Sequence, residues 1–109
     1  MDSRTDLMRG TLDLLILRSL TAMPLHGLGI ARRIAQITQQ SFDVKPGSLF
    51  PALYRLEERG MVEAEWGVTE NNRRARYYSL TPQGRRHFSE ELAQWRRMSR
   101  AINLVLEAT

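Results

Sequence analysis

The apolar residues of this 109-residue chain change their spacing twice, and this limits its folds more than any other feature. Up to Gly60 they recur at intervals of three and four, the period of a helix with one buried face. From Met61 to Trp66 they partly alternate, with Val62, Ala64 and Trp66 on one side and Met61, Glu63 and Glu65 on the other. After Thr81-Pro82 the helical spacing returns and runs to the end. The expected order is therefore three helices, a strand, a loop, a strand and a final helix. No repeat or low-complexity linker interrupts it.

Local signals set the boundaries. A first helix is expected from Asp6 to Ala22, with Leu7, Met8, Leu12, Leu15, Ile16 and Leu20 as its stripe, widened by Leu14 and Leu17. Met23-Pro24-Leu25-His26-Gly27 should break it. A second helix is expected from His26 to Gln39, with Ile30, Ala31, Ile34 and Ile37 inside. Ser41 to Gly47 reads as a turn, and a third helix should begin near Ser48, capped by Gly47 or Ser48. A late start would keep Pro51 in the first turn. Leu49, Ala52, Leu53 and Leu56 form its buried stripe, and Gly60 stops it. Ala75 to Leu80 is the second strand, in which Tyr77 and Tyr78 should face opposite ways. Thr81 caps the last helix and Pro82 takes its first position.

Along that last helix Phe88, Leu92, Trp95, Ser99, Ile102 and Leu106 are spaced four, three, four, three and four. This is a heptad seam with one small polar residue in it. Packing on its own domain is one account. But a helix of about 25 residues is about 37 Å long, more than so small a domain can cover, so a second chain is the better account.

Composition narrows the function. The hydrophobic fraction of 42% suits one soluble domain. Without Cys there is no disulfide framework, Cys-based zinc site or thiol catalysis. The polar start lacks an apolar signal region, and Leu14-Leu15-Ile16-Leu17 is far too short to span a bilayer, so a cytoplasmic protein is expected. His26 and His87 are the only histidines and no second ligand set stands at metal spacing, so no metal or cofactor is expected. Gly27-Leu28-Gly29 begins like a dinucleotide loop, but Arg32 stands where a small residue is needed and no strand precedes it. Ser48 has no His beside it, so a nucleophile is not expected and the chain does not read as an enzyme.

The net charge is +4, and all but one of the 16 basic residues are Arg, whose fork of donors matches phosphates and guanine edges. Arg73, Arg74 and Arg76 crowd the inter-strand loop beside Asn71 and Asn72. The second and third helices, joined by a short turn, form a helix-turn-helix, and the strands with their loop form a wing. The fold class is mainly α (α+β): residues 1–81 as a winged helix-turn-helix with a two-stranded wing, and 82–109 as a long C-terminal dimerisation helix. Lys45, Ser48, Tyr54 and Arg55, outside the buried stripe, are the candidates for the major groove. Asn71, Asn72, Arg73 and Arg74 are the candidates for phosphates or the minor groove, and Arg76 either joins them or supports the wing.

Specific stretches carry a family resemblance: Pro24-Leu25-His26-Gly27, then Pro46-Gly47-Ser48-Leu49-Phe50-Pro51-Ala52-Leu53, Arg55-Leu56-Glu57, and Arg76-Tyr77-Tyr78 followed by Leu80-Thr81 and Gly84. In this order and spacing the chain resembles the PadR family of bacterial transcriptional regulators, over nearly its whole length. The resemblance implies a homodimeric repressor of a bacterial cytoplasm that binds double-stranded DNA at an inverted repeat. Its dimer contact would be the last helix, through Phe88, Leu92, Trp95, Ile102 and Leu106. It also allows for a small planar aromatic effector stacked on Trp95 beside Met98. The chain departs from the family at Leu28 and Phe50, where Tyr is usual. Neither residue is therefore assigned a phosphate contact. The competing function class is a protein-interaction module whose basic loop meets an acidic partner.

Overall fold

The computed structural model describes the backbone of residues 3–108 and the side chains of residues 10–108. Helices α1 (Ser3–Ser19), α2 (Gly27–Ile37), α3 (Pro46–Glu58) and α4 (Pro82–Glu107) surround a small sheet of β1 (Leu25–His26), β2 (Val62–Val68) and β3 (Arg74–Leu80). The sheet is antiparallel in the order β1-β3-β2. Val62 pairs with Leu80, Ala64 with Tyr78 and Trp66 with Arg76, so these residues share one face. Where that face meets the helices, Val62, Tyr78 and Leu80 are buried; further out along the hairpin it emerges into solvent.

The core is the junction of these elements. Ile16 and Leu17 of α1, Leu20 just past its end, Ile30 and Ile34 of α2, and Leu49, Ala52, Leu53 and Leu56 of α3 are buried together with Met61, Val62 and Phe88. Each large side chain fully buried here contributes about 1.5–3 kcal/mol relative to exposure. Leu12, Leu14 and Leu15 pack on the rim of this cluster. The side chains expected at Leu7 and Met8 lie outside the described residues.

Several boundaries differ from expectation. Leu25 and His26 do more than break the chain: they pair with Tyr78 and Tyr77 as a third strand. His26 also caps α2, its Nδ1 accepting from the Gly29 N–H at 3.2 Å. Helix α3 starts at Pro46, with Lys45 rather than Gly47 or Ser48 at the cap. The cause is local, since proline pushes the residue before it into extended backbone (Lys45 φ −85°, ψ 153°) and itself suits the first helical position. Pro51 consequently lies inside the helix, and its missing N–H falls on an exposed turn.

Helix α2 ends at Ile37, which is exposed rather than on the inner face. Gln39 and Gln40 bond back to the carbonyls of Gln36 and Ala35, a closed C-terminal turn that needs a left-handed residue just past the cap. Gln39 occupies that position with φ 53°. Helix α3 ends in the same way with Gly60 at φ 74°, where glycine has no Cβ to strain. Gln39→Gly should therefore stabilise the fold by about 0.5–1 kcal/mol. The expected reading is a higher urea midpoint at unchanged slope. A lower midpoint would show that the Gln39 side chain contributes more than its backbone costs.

Candidate nucleic-acid interface

Helix α3 buries one side and leaves a continuous outer row. Leu49, Ala52, Leu53 and Leu56 face the core, while Gly47, Ser48, Phe50, Pro51, Tyr54 and Glu58 are exposed. The short turn after α2 and the proline start bring the N-terminal end of this row to the surface. Lys45 stands at that end, its Nζ 2.6 Å from Asp43 Oδ2. Both groups are well exposed, so this pair adds little and is easily exchanged for another anion. The Glu58 carboxylate four residues on, an acceptor for the Tyr54 hydroxyl, raises that hydroxyl above the usual phenol range.

Two of the candidate residues, Arg55 and Arg76, are paired with carboxylates of the chain itself. Arg55 Nη2 lies 3.3 Å from Asp13 Oδ1 of α1 and is only half-exposed. Arg76 Nη2 lies 2.7 Å from Glu57 Oε2 of α3, and its guanidinium sits 5.8 Å from the Tyr78 ring centre. The Glu57 bond pushes Arg76 further up from its already high range. Arg76 thus links the wing to the last turn of α3.

The wing tip is built to expose charge. Thr69 and Arg73 close the turn with an N–H to carbonyl bond of 2.8 Å, and Asn72 takes a left-handed φ of 59°, tolerated better by Asn than by most residues. Asn71, Asn72, Arg73 and Arg74 are all exposed. The Arg74 guanidinium stands 4.6 Å from the centre of the Trp66 ring, a cation–π stack. Trp66 is 62% exposed. Alternation places it on the same face as Val62 and Ala64, but does not reveal that the hairpin overhangs the body there. Tyr77, on the other face, packs edge-on against His26 and donates its hydroxyl to the Val68 carbonyl.

Helix α4 carries a second surface. Gly84 and Phe88 are buried in the chain's own core and Leu92 packs on its edge. The same stripe then leaves the body. Exposure is 42% at Trp95, 43% at Met98, 50% at Ile102, 75% at Val105 and 74% at Leu106. Met98, Ala101, Ile102, Val105 and Leu106 line one apolar hollow. The seam is broader than expected, because Met98 and Val105 flank it on the side opposite Ser99. The molecule measures 57 × 30 × 29 Å, consistent with a 26-residue helix that outruns its domain.

Among the described residues, no group of three or more His, Cys, Asp or Glu stands where it could hold a metal ion. No helix among them is long and apolar enough to cross a membrane.

Comparison with known proteins agrees with this geometry. The model of the transcriptional regulator PadR-like family matches residues 16–90. An uncharacterised protein of Lysinibacillus sphaericus is 32% identical over 104 residues, 95% of each chain. The structure of a transcriptional regulator from Clostridium thermocellum aligns with a TM-score of 0.81 at 29% identity, over 94% of this chain and 95% of that one. A PadR family transcriptional regulator from Eggerthella lenta aligns with a TM-score of 0.80 at 28% identity, over 97% of this chain and 90% of that one.

Proposed function

This chain belongs to the PadR-like family of transcriptional regulators, and from that premise we propose that it is a homodimeric repressor binding an inverted-repeat operator in double-stranded DNA. The family is one of regulators rather than enzymes, and its work lies where the DNA is, in the bacterial cytoplasm. The observation that carries the reading is the pairing of two exposed elements tied together by Arg76 and Glu57: the outer row of α3 and the basic tip of the wing. A helix of about 10–12 Å diameter fits the major groove. In such a docking the N-terminal end of α3 approaches the bases, with Ser48 and Tyr54 as readers and Lys45 beside them. Arg73, Arg74, Asn71 and Asn72 grip the backbone or the adjacent minor groove. Arg55 and Arg76 act in this reading as supports held by Asp13 and Glu57.

The test separates backbone grip from base reading. Arg73→Ala with Arg74→Ala should weaken binding to specific and random duplex alike. It should flatten the logarithmic salt dependence by about 0.9 for each phosphate no longer neutralised. Titration over a salt series checks this. An unchanged slope and affinity would remove the wing from the interface.

Dimerisation is assigned to the exposed half of the α4 stripe, where a second copy would cover Trp95, Ile102 and Leu106 as the domain itself covers Phe88 and much of Leu92. The seat for a planar aromatic effector is the Trp95 and Met98 side of that contact. Quenching of Trp95 by such a compound should disappear in a chain held monomeric.

A further inference from the structure

We propose that α3 reads its operator chiefly through thymine methyl groups, packed against the rings of Phe50 and Tyr54. The inference rests on the reading of α3 as the major-groove helix and names what that helix recognises. Strong base recognition in the major groove uses Arg or Lys on guanine and Asn or Gln on adenine. Helix α3, Pro46 to Glu58, contains no Asn, Gln or Lys, its single Arg is Arg55, and the one Lys near it, Lys45, stands at its cap 2.6 Å from Asp43. That guanidinium is turned onto Asp13 of α1.

The outer row instead offers apolar surface. Phe50 is 49% exposed and Tyr54 64% exposed, with Pro51 between them on the same side of the helix. In the major groove the apolar group available to such a surface is the C5 methyl of thymine. The Phe50 ring is also held in place: a Cβ added to Gly27 would stand 2.8 Å from its Cε1 and Cζ, so the ring edge rests closely on the first residue of α2. A ring fixed before docking loses little freedom on binding, which favours reading by shape.

The first comparison uses the wild-type chain, so folding does not enter it. A duplex recovered by selection from random-sequence DNA is synthesised twice, with thymine and with uracil, which differs only by the missing methyl. Affinity should fall about fourfold for each methyl buried, the factor for moving one such group out of water. With one contact in each half-site of a symmetric operator the fall is roughly sixteenfold. In Phe50→Ala, which truncates a half-exposed side chain, the preference for thymine over uracil should shrink, and in Phe50→Ala with Tyr54→Ala the two duplexes should bind nearly alike. That non-additivity separates a side-chain contact from any change in duplex stiffness. Equal affinity of the wild type for both duplexes, with binding still selective and salt-dependent, overturns the thymine assignment alone. Failure to bind any duplex at any salt overturns it together with the DNA-binding reading, and leaves an acidic protein as the partner of the basic wing.

Discussion

Replacing Gly84 by Ala should destabilise this protein by about 3 kcal/mol or more, the largest effect expected of any single added methyl group. Gly84 is the third residue of α4, and its N–H donates to Thr81 Oγ1 at 2.9 Å, completing the cap. The same cap fastens the helix to the sheet, because the Thr81 N–H donates to the Met61 carbonyl at 3.2 Å and its hydroxyl donates to the Gly60 carbonyl at 2.6 Å. The helix start therefore lies directly against the backbone entering β2. A Cβ at Gly84 would sit 1.9 Å from the Met61 carbonyl oxygen and 2.9 Å from its carbon. Both are main-chain atoms, so no rotamer change relieves the overlap, and the helix and strand must part. In a domain of this size such a loss lowers the melting temperature by at least about 12 °C. Gly47 supplies the contrast. It too lies in the first turn of a helix, but nothing stands within 4 Å of a Cβ built there. Gly47→Ala should be stabilising by about 0.4–1 kcal/mol through the unfolded chain alone. Thermal melts of the two variants decide the matter, and equal melting temperatures would refute the packing argument.

The features legible in the sequence are those written in local chemistry. Thr81-Pro82 announces a helix start because a hydroxyl acceptor and a preset φ are properties of those two residues alone. Gly60 announces a stop for the same kind of reason, and the buried stripe of α3 follows from its spacing. What escapes a sequence reading depends on partners far along the chain. Strand β1 has two residues, too few to show a period, and exists because β3 offers it an edge. Arg55 reads as an outward cation until Asp13, 42 residues earlier, is placed beside it. Trp66 has the right side of its strand and the wrong surroundings, since alternation predicts direction but not cover. At Lys45 the cause is local: the proline effect on the preceding residue outweighs the intrinsic capping preference of Ser48. The candidate interface is thus visible in the sequence as a set of residues, while their division into exposed side chains and internally paired ones requires the fold.

Ile102→Asp should separate the protomers without damaging them. The stripe of α4 runs from Gly84 to Leu106 with Ser99 as its one small polar member, but its two halves differ in their cover. Gly84 and Phe88 are sealed within the chain, so substitution there would unfold the domain and reveal nothing about association. Ile102 is half-exposed and lies well along the helix beyond the packed Phe88 and Leu92, so an aspartate at that position costs a lone chain little. In a symmetric dimer the change is made twice, once in each copy of the covered stripe, so two carboxylates would be buried without partners. An uncompensated buried charge costs about 3–5 kcal/mol, which raises the dissociation constant at least about a hundredfold. Sedimentation at micromolar concentration should show the wild type at twice the chain mass and the variant shifted to the monomer, with unchanged helical content. Loss of the dimer also separates the two reading heads. An inverted repeat with half-sites about one helical turn apart should then lose its advantage over a single half-site. If the wild type sediments as a monomer, or the variant remains a dimer, the exposed stripe serves some other partner and two-fold operator recognition through α4 fails with it.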